Sequence, residues 1–257
     1  MTALPADRRT VHTVHCMGTV FSIDIRDVGD WTDAVCDVVG WLHQVDDIFS
    51  TYREDSDISR LRRGEAVLPE LHPAVAEVLD LCVQMQRETD GYFTALWSGS
   101  LDPTGLVKGW AIERASEILR QAGSAHHAVN GGGDIQLAGE AAPGEPWRVG
   151  VSHPADRTQV MRVVTGRDFA VATSGRGERG DHIVNPYTRS PATELAAVTV
   201  IGRSLTRADA YATAALAMGP AAAPWLDNRE GYGGFVVADR LAGPAAAACK
   251  VRYVGVA

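Results

Sequence analysis

The order of helical and strand-like segments places the tightest limit on the fold of this chain. Residues 30–49, 73–87 and 108–122 carry apolar side chains every three to four positions, which predicts three amphipathic helices. Strand-like pieces dominate the second half but do not alternate regularly with helices, as a parallel βαβ series would. We therefore expect an α+β fold with mainly antiparallel sheets and packed helices. The predicted strands are residues 21–26, 128–129, 147–151, 168–173, 197–201, 234–237 and 251–254.

The chain is long enough for a substantial core, since it has 257 residues of which 46% are hydrophobic. We expect a flexible segment over residues 1–10, followed by a single domain over residues 11–257. The Ala-, Pro- and Gly-rich stretches 221–224 and 242–248 are interpreted as surface connections, and residues 90–105 as a loop.

Charge and hydropathy exclude several classes of partner. With 24 basic and 32 acidic residues the net charge is −8, and the acidic residues are spread along the chain, so nucleic acid is not expected as a partner. The chain shows neither the apolar run of a signal peptide nor an apolar span of about 20 residues. Cys16 follows polar and charged residues, which disfavours a lipid anchor. We therefore expect a cytoplasmic protein without a membrane anchor.

A possible metal site lies in the Ala-rich run around residue 210. If this run is helical, Asp209 and Thr213 project from the same face one turn apart. Two hard oxygen donors at this spacing suit Mg2+. The alternative is structural: the Asp would interact with the helix dipole and the Thr with the backbone.

Two glycine clusters are open to a nucleotide-binding interpretation. Residues 175–180 match GxGxxG, but the proline at 186 follows too soon for the helix that a dinucleotide fold requires, so we reject that interpretation. Residues 130–134 contain three consecutive glycines, whose amides can approach a phosphate or a ring closely. An ordinary β-turn remains the alternative for this second cluster, and Asp134 would then simply cap the turn.

Seven short motifs in order resemble the FAD:protein FMN transferases, the ApbE-like family. They span residues 17 to about 219, and each is weak alone. The motifs are Met17-Gly18-Thr19, Ser50-Thr51-Tyr52-Arg53 followed by residues 55–59, Val107-Lys108-Gly109-Trp110-Ala111, Gly132-Gly133-Asp134-Ile135, Thr173-Ser174-Gly175, His182-Ile183-Val184-Asn185-Pro186 and residues 208–213.

The resemblance implies the family's T-fold-like α+β architecture and its Mg2+-dependent reaction. In that reaction FAD is the substrate, FMN passes to a Thr or Ser hydroxyl of an acceptor flavoprotein, and AMP is released. Asp209 and Thr213 match the family's side-chain metal ligands, and Gly105 matches its carbonyl ligand. The positions that match or adjoin the family's FAD contacts are Met17, Tyr52, Tyr92, Phe93, Thr94, Asp102, Lys108, Gly133, Asp134 and Ile183.

Ordinary structural roles compete with several of these assignments. Met17 and Phe93 could be core residues, and Lys108 could be a solvated charge at a helix start. His182 is the candidate proton acceptor, because an unperturbed imidazole titrates near neutral pH. Its alternative is a core histidine beside Asp181.

The chain departs from the family pattern at two places. Gly91-Tyr92-Phe93-Thr94 ends in Thr where the family has Asp, and the loop that leads to Asp102 is short. Asn185 stands where the family usually has Asp, which keeps a hydrogen-bonding side chain without its charge. Two further functions therefore stay open: an FAD pyrophosphatase that uses water as acceptor, and a non-catalytic flavin-binding module.

Overall fold

A computed structural model describes residues 9–97, 99–176, 180 and 183–238 of the chain. Its strands are β1 (Thr10–Cys16), β2 (Thr19–Ile25), β3 (Leu96–Trp97), β4 (Ser100–Leu101), β5 (His127–Gly131), β6 (Asp134–Ala138), β7 (Trp147–His153), β8 (Asp156–Gly166), β9 (Ala170–Gly175), β10 (Val184–Asn185), β11 (Ser190–Pro191), β12 (Leu195–Gly202) and β13 (Gly233–Ala238). Its helices are α1 (Thr32–Phe49), α2 (Asp57–Arg62), α3 (Pro73–Glu88), α4 (Thr104–Gln121), α5 (Leu205–Met218) and α6 (Ala222–Asp227).

A seven-stranded sheet forms the centre of the fold, in the order β1-β2-β5-β6-β9-β12-β13. Each neighbouring pair in it is antiparallel, and the ribbon β7–β8 forms a separate antiparallel pair. The prediction of an α+β fold with mainly antiparallel sheets is confirmed.

The two faces of the sheet bury separate sets of side chains. Phe21, Ile23 and Ile25 alternate along β2 and are completely buried in the main core, together with apolar residues of α1, α4 and α5. A second apolar cluster contains Leu137 of β6 and Trp147 of β7. Since successive side chains of a strand point to opposite faces, the helices cover one face and the β7–β8 ribbon covers part of the other.

Helix α5 is buried on nearly all sides. Twelve of its 14 residues are buried, and six of these are alanines. Small side chains let the helix pack closely against α4, β9 and β12, and a helix that is apolar all round belongs in a core. This packing buries Asp209 and leaves Thr213 half-buried.

Several boundaries differ from the predictions. The third predicted helix begins at Thr104 rather than at Lys108. The stretch 221–224 is not a surface connection, because it contains the start of α6 with a buried Ala222. The stretch 90–105 holds the short β3–β4 hairpin. Strand β1 begins at Thr10, inside the segment predicted to be flexible. Residues 1–8, 242–248 and 251–254 lie outside the described residues.

Over the described ranges, each helix is too short or too polar to cross a membrane.

Candidate active site

Two tight hairpin turns lie side by side at one end of the sheet. Met17 and Gly18 connect β1 to β2, with φ angles of 48° and 68°. Gly132 and Gly133 connect β5 to β6, with φ angles of 60° and 94°. Two-residue loops with both φ angles positive match the twist of the strands. The Gly132 N–H donates to the Val20 carbonyl (3.4 Å), which joins the second turn to the start of β2.

Residues 130–134 thus contain a tight β-turn, and Asp134 is the first residue after its two glycines. A cleft of about 530 Å³ opens beside this turn. Met17 is half-buried against the main core in a left-handed conformation that costs a non-glycine residue energy. The cleft is lined by Thr19, Val20, Ser22, Asn130, Gly132, Gly133 and Arg157.

Asp134 joins three elements through its carboxylate. Only 1% of the residue is exposed. Its Oδ1 accepts a hydrogen bond from the Thr173 N–H of β9 (2.9 Å), and its Oδ2 lies 2.6 Å from Lys108 Nζ of α4. A buried carboxylate needs such partners to offset the loss of water. Asp134 thus does more than cap its turn, and Lys108 is not merely a solvated charge.

Asp209 contacts α4 at the residue that follows Lys108. Its carboxylate Oδ2 accepts a hydrogen bond from the Gly109 N–H at 3.0 Å, and the residue is only 5% exposed. A Cβ on Gly109 would lie 2.8 Å from Asp209 Cβ and 2.8 Å from the Leu205 carbonyl oxygen. The two helices can therefore cross this closely only because residue 109 is glycine.

Thr213 lies one turn further along α5 and meets two more elements. Its Oγ1 is 3.3 Å from Ser174 Oγ of β9. A Cβ on Gly105 would lie 3.9 Å from Thr213 Cγ2 and 3.5 Å from Phe93 Cε2. Since Gly105 precedes Gly109 by one helical turn, the three predicted metal ligands lie on facing turns of α4 and α5.

Ser174 is a site residue that the sequence prediction did not single out. It lies in one of the seven motifs, Thr173-Ser174-Gly175, and it is 8% exposed. In a strand, neighbouring side chains point to opposite faces. Thr173 is exposed while Ser174 is buried, but the sequence of β9 does not alternate apolar and polar residues, so the motif was the one available signal.

The remaining aromatic candidates are divided between interior and surface. Phe93 is 2% exposed beside Gly105, whereas Tyr52 is 97% exposed after α1. The ring of Tyr92 packs against that of Tyr187, with centroids 4.9 Å apart. The predicted apolar wall is therefore not one continuous buried surface in this conformation.

The polar candidates near Phe93 have local partners. Thr94 Oγ1 donates to the Leu96 carbonyl (3.1 Å) and accepts from its N–H (3.1 Å). Asp102 Oδ1 accepts from the N–H and the hydroxyl of Thr104, the first residue of α4, at 3.0 and 2.6 Å. Ile183 is half-buried against the main core.

His182 and Asp181 lie outside the described residues. Within the described ranges, no group of three or more His, Cys, Asp or Glu side chains could hold a metal ion. Among the described residues, a cation at this site would therefore have fewer than three such side chains, with Asp209 as the predicted carboxylate and the hydroxyls of Thr213 and Ser174 further along α5 and on β9. These are hard oxygen donors, which fit Mg2+ or Mn2+ better than a thiolate-binding metal.

Comparison with known proteins agrees with the geometry. The model of the ApbE family matches residues 17–99 and 97–235. A "FAD:protein FMN transferase" of Vibrio cholerae is 33% identical over 129 residues, which are 46% of this chain and 39% of the relative. That of Salmonella typhimurium is 30% identical over 147 residues, which are 53% of this chain and 42% of the relative. The alignments thus cover about two fifths of these curated relatives.

Solved structures extend the likeness in fold to most of the chain. The flavin transferase ApbE of Vibrio cholerae superposes with a TM-score of 0.78 and 21% identity, covering 90% of this chain and 94% of that one. The apo flavinyl transferase ApbE of Pseudomonas stutzeri gives a TM-score of 0.78 and 25% identity, over 91% and 92% of the two chains.

Proposed function

Because the chain belongs to the ApbE family, we propose that it is a Mg2+-dependent FAD:protein FMN transferase. The reaction splits the pyrophosphate of FAD. FMN is attached through a phosphoester to a Thr or Ser hydroxyl of an acceptor flavoprotein, and AMP leaves. The function named for its curated relatives supports this proposal.

The observation that carries the proposal is the convergence of α4, α5 and β9 on Asp209 and Thr213. The Asp209 carboxylate, the Thr213 hydroxyl and the Gly105 carbonyl would hold Mg2+, with the Ser174 hydroxyl 3.3 Å from that of Thr213. When bound, Mg2+ neutralises pyrophosphate charge, without which the phosphorus is a poor electrophile.

Two charged residues would orient the substrate next to this cluster. Lys108 would contact a phosphate oxygen of FAD, because its ammonium is a positive charge that the contact with Asp134 holds beside this cluster. The Asp134 carboxylate would hold Lys108 in place, since its other oxygen is bonded to β9. Gly133 would bring backbone close to the ligand beside them.

The flavin and adenine rings require apolar surface with few polar anchors. Met17, Tyr92 and Phe93 would supply apolar walls, and Tyr52 would pack on an exposed ring from the loop after α1. Thr94, Asp102 and Ile183 would complete the contacts. Tyr52 is 97% exposed, so its contact requires a bound ligand to cover it.

We assign the proton transfer to His182. Its imidazole would accept the proton of the incoming Thr or Ser hydroxyl as that oxygen forms a bond to the FMN phosphorus. The bond from this phosphorus to the AMP oxygen breaks, and AMP departs with the electron pair. The proton stays on His182 and the negative charge leaves on the AMP phosphate, so the total charge is unchanged.

Mass spectrometry of an acceptor peptide tests the proposal. The protein is incubated with FAD, Mg2+ and a Thr-containing peptide, with and without chelator, and the nucleotides are separated by chromatography. We expect one FMN added per peptide, equal AMP, and loss of both with chelator. AMP and free FMN without labelled peptide would instead establish an FAD pyrophosphatase. FAD binding without turnover would indicate a flavin-binding module.

A matched pair of variants ties turnover to the site. Thr213→Val removes a hydroxyl next to Ser174 while it preserves the shape of the side chain, so it should lower turnover and weaken Mg2+ dependence. Thr158→Val changes an exposed threonine of β8 and should leave both unchanged. Equal turnover in the two variants would contradict the proposed role of Thr213.

A further inference from the structure

Helix α4 holds α5 at two points one helical turn apart. The first is Gly109, whose N–H donates to Asp209 Oδ2 and whose missing side chain allows the close crossing. The second is Glu113, which follows Gly109 by four residues and so lies on the same face of α4. Gly109 contacts the proposed ligand Asp209, and Glu113 contacts residues three and five positions before it.

Glu113 binds the first turn of α5 through a single oxygen. Its Oε2 accepts from Ser204 Oγ (2.8 Å), from the Thr206 N–H (2.8 Å) and from Thr206 Oγ1 (2.6 Å). Ser204 is the N-cap of α5 and accepts from the Arg207 N–H. A carboxylate at a helix N-terminus is favourable because the first N–H groups lack partners within the helix.

These contacts fix the position of α5 along its axis and its rotation about that axis. Asp209 comes three residues after Thr206, and Thr213 follows after four more. Because a helix is rigid over two turns, anchoring Thr206 and Asp209 also determines where the Thr213 hydroxyl points. Six of the buried residues of α5 are alanines, so polar anchors contribute to its register, with Glu88 binding Arg207 and Tyr211 on another side of the helix.

We propose that Glu113 and Gly109 are positioning residues for the metal site, and this inference rests on the proposed metal-dependent function. They act through Asp209 and Thr213 and contact neither substrate nor metal. Loss of either contact lets α5 shift by a fraction of a turn, which separates the oxygen donors that must meet at one cation.

Direct metal binding provides the test. Mn2+, which prefers the same oxygen ligands, is titrated into the full-length protein, and free Mn2+ is followed by electron paramagnetic resonance. For Glu113→Gln and for Gly109→Ala we expect the Kd for Mn2+ to rise by about tenfold or more, the effect typical of residues that orient metal ligands. Thermal unfolding of each variant shows whether it is folded.

The chain offers a control for each variant. Glu117→Gln removes a carboxylate on the same helix that pairs with Arg114 at the surface. Gly40→Ala places a methyl group on an exposed glycine inside α1, where no atom lies within 4 Å. Both controls should bind Mn2+ as the wild type does.

A kinetic measurement separates positioning from simple loss of folded protein. In the transfer assay, the positioning variants should need more Mg2+ for half-maximal rate and recover most of the rate at saturation. A lowered maximal rate at unchanged Mg2+ requirement would overturn the inference, as would an unchanged Kd for Mn2+ in folded variants. If the wild type itself bound no Mn2+, the metal site of the proposed function would fail, and the inference with it.

Discussion

Replacing Asp209 by Asn separates the two tasks of this residue, because Asn keeps one of them. The Asp209 carboxylate accepts the Gly109 N–H at 3.0 Å in a setting that is 5% exposed. The Asn amide oxygen can accept the same hydrogen bond and occupies nearly the same volume. Asp209→Asn should therefore keep the α4–α5 contact, and its free energy of unfolding should stay within about 1 kcal/mol of the wild type.

Asp209→Ala should behave differently in stability. It removes the acceptor of the Gly109 N–H and leaves a small void between the helices. A buried donor that loses its partner costs about 1–3 kcal/mol of the free energy of unfolding. Urea unfolding followed by circular dichroism measures both variants. Asp80→Asn on the exposed face of α3 is the control for loss of a negative charge.

The two Asp209 variants should show a similar loss of FMN transfer activity. Each loses the carboxylate that we propose binds the metal, and since residues that merely orient ligands contribute 10- to 100-fold, we expect FMN transfer to fall by about 100-fold or more. The assay is peptide labelling at several Mg2+ concentrations. Transfer by Asp209→Asn within a few-fold of the wild type across that range would refute a metal-binding carboxylate at this position.

Two further predictions concern stability. Burial lowers the pKa of His127 from 6.5 to about 4. Between these pH values the unfolded state binds more protons than the folded state, so the free energy of unfolding falls by about 3 kcal/mol as pH drops from 6.5 to 4. His127→Gln should reduce this pH dependence in urea unfolding, and an unchanged pH dependence would contradict the argument. Gly131→Ala places a Cβ 2.4 Å from Phe21 Cε1, so it should lower the free energy of unfolding by about 1–3 kcal/mol. Gly150→Ala places a Cβ 3.5 Å from the methyl groups of Val160, so it should lower that free energy less. Equal losses of stability in thermal unfolding would count against the packing argument.

Local periodicity was enough to predict the main helices and most central strands. The pattern of α1 places Val35, Val38 and Leu42 on one stripe, and all three are buried. Strand β1 was missed because apolar and polar residues do not alternate along it: Thr10 and His12 share the face of the buried Val14 and Cys16, and Val11 lies on the exposed face. Helix α6 was misread from its Ala and Pro content, although Pro224 lies in the first turn, where its missing N–H costs little.

In the candidate site, too, local features could be predicted from the sequence and long-range contacts could not. The spacing of Asp209 and Thr213 on α5 could be predicted, because it depends only on the helical repeat. Their partners could not, since Gly109 is 100 residues from Asp209 and Ser174 is 39 residues from Thr213. A helix crossing sets these contacts, and no short pattern in the sequence encodes a crossing angle.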